Sequence, residues 1–236
     1  MSKRAVVLAG GKGTRLRPYT VALPKPLVPL GDYPILEIIV RQLAHYGFDH
    51  ITLAVNHQAA IIKAFFDTGA KWGVRIDYSF ETEPLSTMAP LRLIPDLPEH
   101  FLLMNGDVLT DLDLSALYER HVAENRLFTI AATHRMQIVD FGVLETQNTN
   151  LLTGFKEKPT NRYMVCMGIN VASRAVVAKI PPQHKYGLDD LLLELLRSSE
   201  RVHVEPYDGR WLDIGRPDDY AQACEQFEQD KHLFLK

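Results

Sequence analysis

The chain has 236 residues, 46% of them hydrophobic, with 26 Lys and Arg against 29 Asp and Glu. It is long and apolar enough to bury a sizeable core, and its slightly acidic balance excludes a general nucleic-acid or membrane-surface role, which needs a basic excess to meet phosphate. Two cysteines, Cys166 and Cys224, outside any CxxC spacing, suggest neither a zinc site nor a disulfide framework, and the short run after "MSKR" is neither a signal peptide nor a membrane span, so a cytoplasmic, soluble protein is expected.

"AVVLA" (Ala5 to Ala9) is a continuous apolar run ending in glycines, the pattern of a strand buried on both faces of a parallel sheet. "PILEIIVRQLAHYGF" then spaces Ile35, Ile39, Leu43 and Tyr46 on one helical face, from Pro34 to Gly47. A strand over His50 to Val55, a helix over about Gln58 to Phe66, and strands over Val74 to Phe80 and Phe101 to Met104 follow. This alternation predicts right-handed βαβ units and a parallel sheet. After Leu127 the texture changes, with strand-like runs at Leu127 to Thr133, Gly142 to Glu145, Leu151 to Glu157 and Met164 to Val171. They read as a mixed-sheet lid or substrate platform built onto the first half. Helices return at Leu188 to Arg197 and Pro217 to Gln229, with strands at Val202 to Glu205 and Arg210 to Leu212 between them. Without repeats or low-complexity linkers, we expect a single domain over 1–236, with a nucleotide-type half over about 1–126 and a second half over about 127–236.

The stretch "LAGGKGTRLRPYTVALPKPLVPL" carries the first chemical signal. A P-loop needs GxxxxGK[ST], but here Gly13 is followed by Thr14; a dinucleotide fingerprint needs GxGxxG, but Leu16 stands where its last glycine belongs. What remains is a loop after the first strand in which Gly10, Gly11 and Gly13 let backbone N–H groups approach an anion, with Arg15, Arg17 and Lys25 supplying charge. The bland alternative is a tight turn with solvated cations, and it suits Arg17 better than Arg15 or Lys25. Asp107 follows the buried run "FLLMNG", at the strand edge where open α/β sheets bind ligands. Asp111 and Asp113 behind it read as turn or helix-cap residues. His57, His121 and His134 show no metal spacing and belong on the surface or in the core.

With "PKPLVP", "NGD" at Asn105 to Asp107, "FGVLE" at Phe141 to Glu145, "GFKEKP" at Gly154 to Pro159, "GINV" at Gly168 to Val171 and "WLDIGRPDDY" at Trp211 to Tyr220, the loop resembles, in order along almost the whole chain, the sugar-1-phosphate nucleotidyltransferases, or nucleotide-sugar pyrophosphorylases. The resemblance implies a Rossmann-like three-layer α/β/α fold, with a mixed, mostly parallel central sheet and a smaller sugar-binding β subregion. It also implies transfer of a nucleotidyl group from a nucleoside triphosphate to a sugar 1-phosphate, with release of pyrophosphate. Bringing two polyanions together calls for positioning and cation clamps. By resemblance Arg15 and Lys25 are the catalytic cations, Arg15 on the β and γ phosphates and Lys25 near the α phosphate. Leu8, Gly10, Gly11, Gly13, Thr14, Arg15, Glu81 and Asn105 would bind nucleotide; Gly142, Glu157, Lys158 and Asn170 would bind the sugar phosphate; Asp107 and Asp213 would hold Mg2+. Without the resemblance, Glu157 and Lys158 would be an ordinary exposed pair. Expected partners are the two substrates, with a homodimer as an option, and with no nucleic acid and no membrane.

The base-reading segment is expected in "YSFETEPLSTMAPL", where relatives often read "PLGTAGAL". Ser86, Met88 and Ala89 replace Gly, Ala and Gly, which narrows the room for backbone approach. Glu81 can only accept, and guanine offers adjacent N1–H and amino donors where uracil and thymine offer one donor flanked by carbonyls. That favours GTP, and with it mannose or a manno-configured heptose as the 1-phosphate. Another base, UTP or dTTP first, and a non-catalytic sugar-nucleotide sensor remain alternatives. Ending one helix past "WLDIG", the chain is expected to lack the β-helix region of longer relatives and any acyltransferase activity attached to it.

Overall fold

The computed structural model describes residues 2–56, 58–148, 150–182 and 185–235. Its elements are β1 (Lys3–Leu8), the short ribbon β2 (Pro29–Leu30) and β3 (Tyr33–Pro34), α1 (Ile35–His45), β4 (Phe48–Val55), α2 (Ala59–Phe66), β5 (Arg75–Phe80), β6 (His100–Asn105), β7 (Val108–Thr110) and α3 (Leu114–Ala123). Then come β8 (Phe128–Ile138), β9 (Val143–Thr146), β10 (Leu152–Lys156), β11 (Thr160–Ser173), α4 (Leu188–Arg197), β12 (Val202–Pro206), β13 (Trp211–Asp213) and α5 (Pro217–Phe234). Seven strands form one sheet in the order β12-β8-β11-β6-β1-β4-β5. β1 is parallel to β4 and β6, β4 to β5, and β12 to β8; β11 runs antiparallel to both of its neighbours. The sheet is therefore mixed and mostly parallel, with helices on both faces.

The strand period of two sorts the apolar runs onto those faces. Ala5 and Val7 of β1 and Leu102 and Met104 of β6 pack with Ile35, Ile39 and Leu43 of α1 and Phe227 of α5. Val6, Phe101 and Leu103, on alternate positions, pack with Leu191 and Leu195 of α4. A run without polar interruptions was needed because both faces are covered.

Two parts differ from the sequence reading. The second half is not a lid built onto the first: β8, β11 and β12 extend the same sheet, with β11 bonded directly to β6. The ribbon β9–β10 is separate from it and β13 pairs with β7, while the outer ends of β8 and β11 stay paired with each other beyond the core; Met136, Ile138, Phe141 and Phe155 in this region are more than half exposed. The strands of this half also run longer than their apolar cores, because pairing continues where burial stops. In addition, α3 lies where no helix was read. Its apolar pattern is thin, and its start is set by Asp113, whose carboxylate accepts the Ala116 N–H at 2.9 Å.

β4 follows β1 on one side, and β6 lies on the other, so the connections diverge between β1 and β6. That divergence opens a crevice at the C-terminal ends of the strands, the usual ligand position in such sheets.

Candidate active site

The glycine loop leaves the crevice end of β1. Gly13 adopts a left-handed φ of 61°, and a Cβ there would come within 2.8 Å of the Thr20 methyl and 3.0 Å of the Lys25 Cβ. Thr20 donates to the Gly13 carbonyl at 2.7 Å, and Leu16 N–H donates to the same oxygen at 2.9 Å. The single 3-10 turn this makes, Thr14–Leu16, buries Leu16 and leaves Thr14 and Arg15 exposed. Lys25 is folded under the loop, only 7% exposed, and its ammonium is ion-paired with the Asp107 carboxylate.

Asp107 lies two residues beyond β6. Gly106 N–H donates to the Leu8 carbonyl at 2.9 Å, and Ile214 N–H donates to the Asp107 carbonyl at 3.0 Å. The antiparallel pair β7–β13, with Asp213 opposite Val108, thus brings two sequence-distant carboxylates into electrostatic contact. Burial holds the Asp213 carboxyl above the usual carboxylate range, and the charges of Asp107 and Asp219 add to this, while Lys25 and Arg135 oppose it. Two repelling hard-oxygen donors beside one lysine suit a divalent cation that completes its shell from phosphate and water. Among the described residues no group of three or more His, Cys, Asp or Glu could hold a metal alone.

A cavity of about 450 Å³ opens beside this cluster, lined by Leu8, Gly10, Gly11, Glu81, Asn105 and Asp107 among others. Glu81 follows β5, with its N–H donating to the Val55 carbonyl at 2.9 Å, and its carboxylate accepts the Leu85 N–H at 3.2 Å. The carboxylate also lies against Gly10, whose Cβ, if present, would meet Glu81 Oε1 at 2.8 Å. Burial raises the Glu81 pKa, and the Leu85 bond offsets part of the rise. Ser86, also in the wall, holds a left-handed φ of 73°, a conformation that glycine adopts at no cost. The loop is strapped down there. Tyr186 N–H donates to the Leu85 carbonyl at 3.0 Å, Met88 and Ala89 N–H both donate to the Tyr186 carbonyl, and Leu188 N–H donates to the Thr87 hydroxyl at 2.9 Å. Met88 is buried in one cluster with Leu191 and Leu195, and so anchors the loop to α4.

Three further cavities continue from Asn105. One of about 220 Å³ contains Asn105, Cys166, Gly168 and Asn170; the next, about 240 Å³, shares Asn105, Cys166 and Gly168 with it and reaches Trp211, Arg135 and Asp213. The last, about 510 Å³, shares Arg135, Val165 and Asp213 with the second and contains Arg15. Of the expected sugar-phosphate set only Asn170 lines this chain of cavities. Gly142, Glu157 and Lys158 stand on the exposed ribbon side, where Glu157 Oε2 is 3.3 Å from the Gly142 Cβ position and Lys158 pairs with Asp140 at 3.5 Å. Arg135 and Arg216, which nothing in the sequence singled out, do line it. Arg135 sits in an alternating strand and Arg216 before a proline at a helix boundary, so both looked like ordinary surface cations. Of the histidines, His121 is buried and His134 lies 3.4 Å from Asp208, while His57 lies outside the described residues. No helix among the described residues is long and apolar enough to cross a membrane.

The family model described as nucleotidyl transferase matches residues 4–230. The chain belongs to that family. This family member is 34% identical over 230 residues to a mannose-1-phosphate guanyltransferase of Yarrowia lipolytica, covering 93% of this chain and 62% of that protein. It is 32% identical over 240 residues to a UTP–glucose-1-phosphate uridylyltransferase of Synechocystis sp., with the same two coverages of 93% and 62%. The chain thus spans less than two thirds of the length of the curated relatives it matches. In fold it is similar to HddC from Yersinia pseudotuberculosis, complexed with GMP-PN, at a TM-score of 0.73 and 23% identity, covering 95% of this chain and 99% of that one.

Proposed function

We propose that this chain transfers a nucleotidyl group from a nucleoside triphosphate to a sugar 1-phosphate, and that GTP and a manno-configured sugar 1-phosphate are its favoured pair. The observation that carries the reading is the Lys25, Asp107 and Asp213 cluster between a glycine-lined cavity and an arginine-lined one. In this reading the base and ribose occupy the Glu81 cavity, Lys25 meets the α phosphate, and Arg15 meets the leaving group through its planar fork of donors. Gly10, Gly11, Gly13 and Thr14 shape the loop around the phosphates. Asp107 and Asp213 would hold magnesium, which when bound screens the phosphate charge and draws electron density from the α phosphorus.

GTP is favoured by the acceptor-only Glu81 and by relatives named mannose-1-phosphate guanyltransferases. The uridylyltransferase relative keeps UTP as the second reading. For the acceptor, Asn170 lines the connected cavities, while Gly142, Glu157 and Lys158 enter this reading only through the resemblance.

The deciding experiment measures magnesium-dependent pyrophosphate release for GTP, UTP, dTTP, CTP and ATP against mannose, heptose, glucose and N-acetylglucosamine 1-phosphates. A dominant GTP row supports the reading, another row replaces the base, and a dark plate with nucleotide still bound supports a sensor. Asp107→Asn should lower turnover by about two orders of magnitude or more. Unchanged turnover in that variant would sink the site assignment.

A further inference from the structure

The cavity that contains Arg15 is lined by two more arginines, and the reading above gives them no task. Arg135 lies where β8 passes from buried to exposed, and Arg216 stands immediately before α5. With Arg15 they line one cavity of about 510 Å³ that also includes Asp213, Asp219 and Tyr163. Arg15 and Arg216 are exposed and, among the described residues, have no ion-pair partner. Arg135 has one, Asp219, at 3.3 Å. Three guanidinium groups face two carboxylates here, and two of the three are uncommitted. Such a wall suits an anion with several charged oxygens, since each planar fork can take two of them.

The position of the cavity says which anion. Asp107 belongs to the wall of the nucleotide cavity, Asp213 to the wall of the arginine cavity, and the two carboxylates interact. A triphosphate whose base lies near Glu81 and whose α phosphate lies at Lys25 therefore extends its β and γ phosphates toward the arginines. We propose that Arg135 and Arg216 complete, with Arg15, a cradle for the pyrophosphate leaving group; this rests on the nucleotidyl-transfer reading. As the acceptor's phosphate oxygen bonds to the α phosphorus, the bond from that phosphorus to the α,β-bridging oxygen breaks. Its electron pair stays on the departing pyrophosphate, and the three guanidinium groups meet that added charge. Asp219 holds Arg135 in place and competes with the anion for it.

The test uses the full chain and the variants Arg135→Gln, Arg216→Gln, Arg135→Lys and Arg216→Lys. In the reverse reaction each Gln variant should raise KM for pyrophosphate by about tenfold, the loss of roughly one charge-assisted hydrogen bond, and the Lys variants should recover part of it. KM for the sugar 1-phosphate should stay within about twofold of the parent. A rise confined to the sugar 1-phosphate would overturn the proposal by assigning these arginines to the acceptor, and no rise in either would overturn it altogether. Calorimetric titration of inorganic pyrophosphate into the protein alone gives a readout independent of turnover. There the Gln variants should bind about tenfold more weakly and Asp219→Asn more tightly, with melting temperatures within about 2 °C of the parent. If no nucleotide and sugar pair turns over while pyrophosphate still binds through Arg135 and Arg216, the nucleotidyl-transfer reading fails and the anion site stands. If turnover is normal and the Gln variants bind pyrophosphate as the parent does, the cradle fails and the activity stands.

Discussion

Glu81 and Gly10 make one unit, and its consequences can be measured on two residues. The Glu81 carboxylate is fixed on one side by the Leu85 N–H and rests against Gly10 on the other, so it presents acceptor oxygens to the cavity with little freedom to turn. Glu81→Gln replaces one acceptor oxygen by an amide donor. The preference for GTP over UTP should then fall by about tenfold, roughly the net worth of one hydrogen bond, in competition assays that read kcat/KM for each nucleotide. Gly10→Ala should move the same ratio in the same direction, because its Cβ would lie 2.8 Å from Glu81 Oε1 and force the carboxylate aside. If both variants keep the parent's ratio, another group reads the base. Glu81 could be singled out in the sequence because base recognition, in the proposed reading, is a question about donors and acceptors, which residue type answers. Its contact with Gly10 was not, since that depends on how β5 and the loop after β1 meet across β4.

At the scale of elements, the apolar runs gave β1, α1 and β4 in the first half and α4 in the second to within a few residues, because strands and helices covered by a core must show it in their periodicity. The position of Asp107 was readable for a related reason, as it follows the buried run of β6, whereas Asp213 was named only through the resemblance. α3 was missed because it buries only Leu114, Leu117 and His121 and so shows a thin apolar pattern, and Arg135 and Arg216 because an exposed cation has the same sequence signature whether it faces solvent or a cavity. α3 nevertheless has a measurable property. Its His121 is fully buried, with Nδ1 2.9 Å from the Thr129 hydroxyl and Nε2 3.2 Å from His100 Nδ1. Burial, and then the charges of His100, Arg126 and His203 around it, push its pKa down to about 4. Between its ordinary value of about 6.5 and that value, the unfolded chain takes up a proton that the folded chain refuses. Stability from this group is therefore present above pH 6.5 and lost as the pH falls, by about 2 kcal/mol between pH 7 and pH 5. Urea titrations across that range should show the decline in the parent and a flatter dependence in His121→Gln, whatever that variant's stability at neutral pH. Equal slopes would mean that His121 does not titrate between the two states.

For the whole molecule, the sharing of one sheet by both halves of the sequence has consequences for how it unfolds. β11 from the second half bonds to β6 from the first, and α5 returns to the beginning of the chain. Phe227 of α5 packs in the same cluster as Leu30 and Ile35, and the Tyr220 hydroxyl donates to the Pro29 carbonyl at 2.6 Å. Unfolding either half alone would expose the apolar faces of the other, so the two should open together. The sequence supplies a reporter for each. Trp72 donates to Glu37 Oε1 at 3.2 Å beside α1, and Trp211 donates to the Met167 carbonyl at 2.9 Å beside the candidate site; these are the only two tryptophans. Trp211→Phe leaves fluorescence from the first half, and Trp72→Phe leaves it from the second. Each single-tryptophan protein should give a urea midpoint by fluorescence that coincides with its own midpoint by far-ultraviolet circular dichroism, because both probes follow one transition. A fluorescence midpoint that separates from the circular dichroism in either variant would instead define two units that unfold in turn, with the crevice between β1 and β6 held together by packing weaker than the shared strands imply.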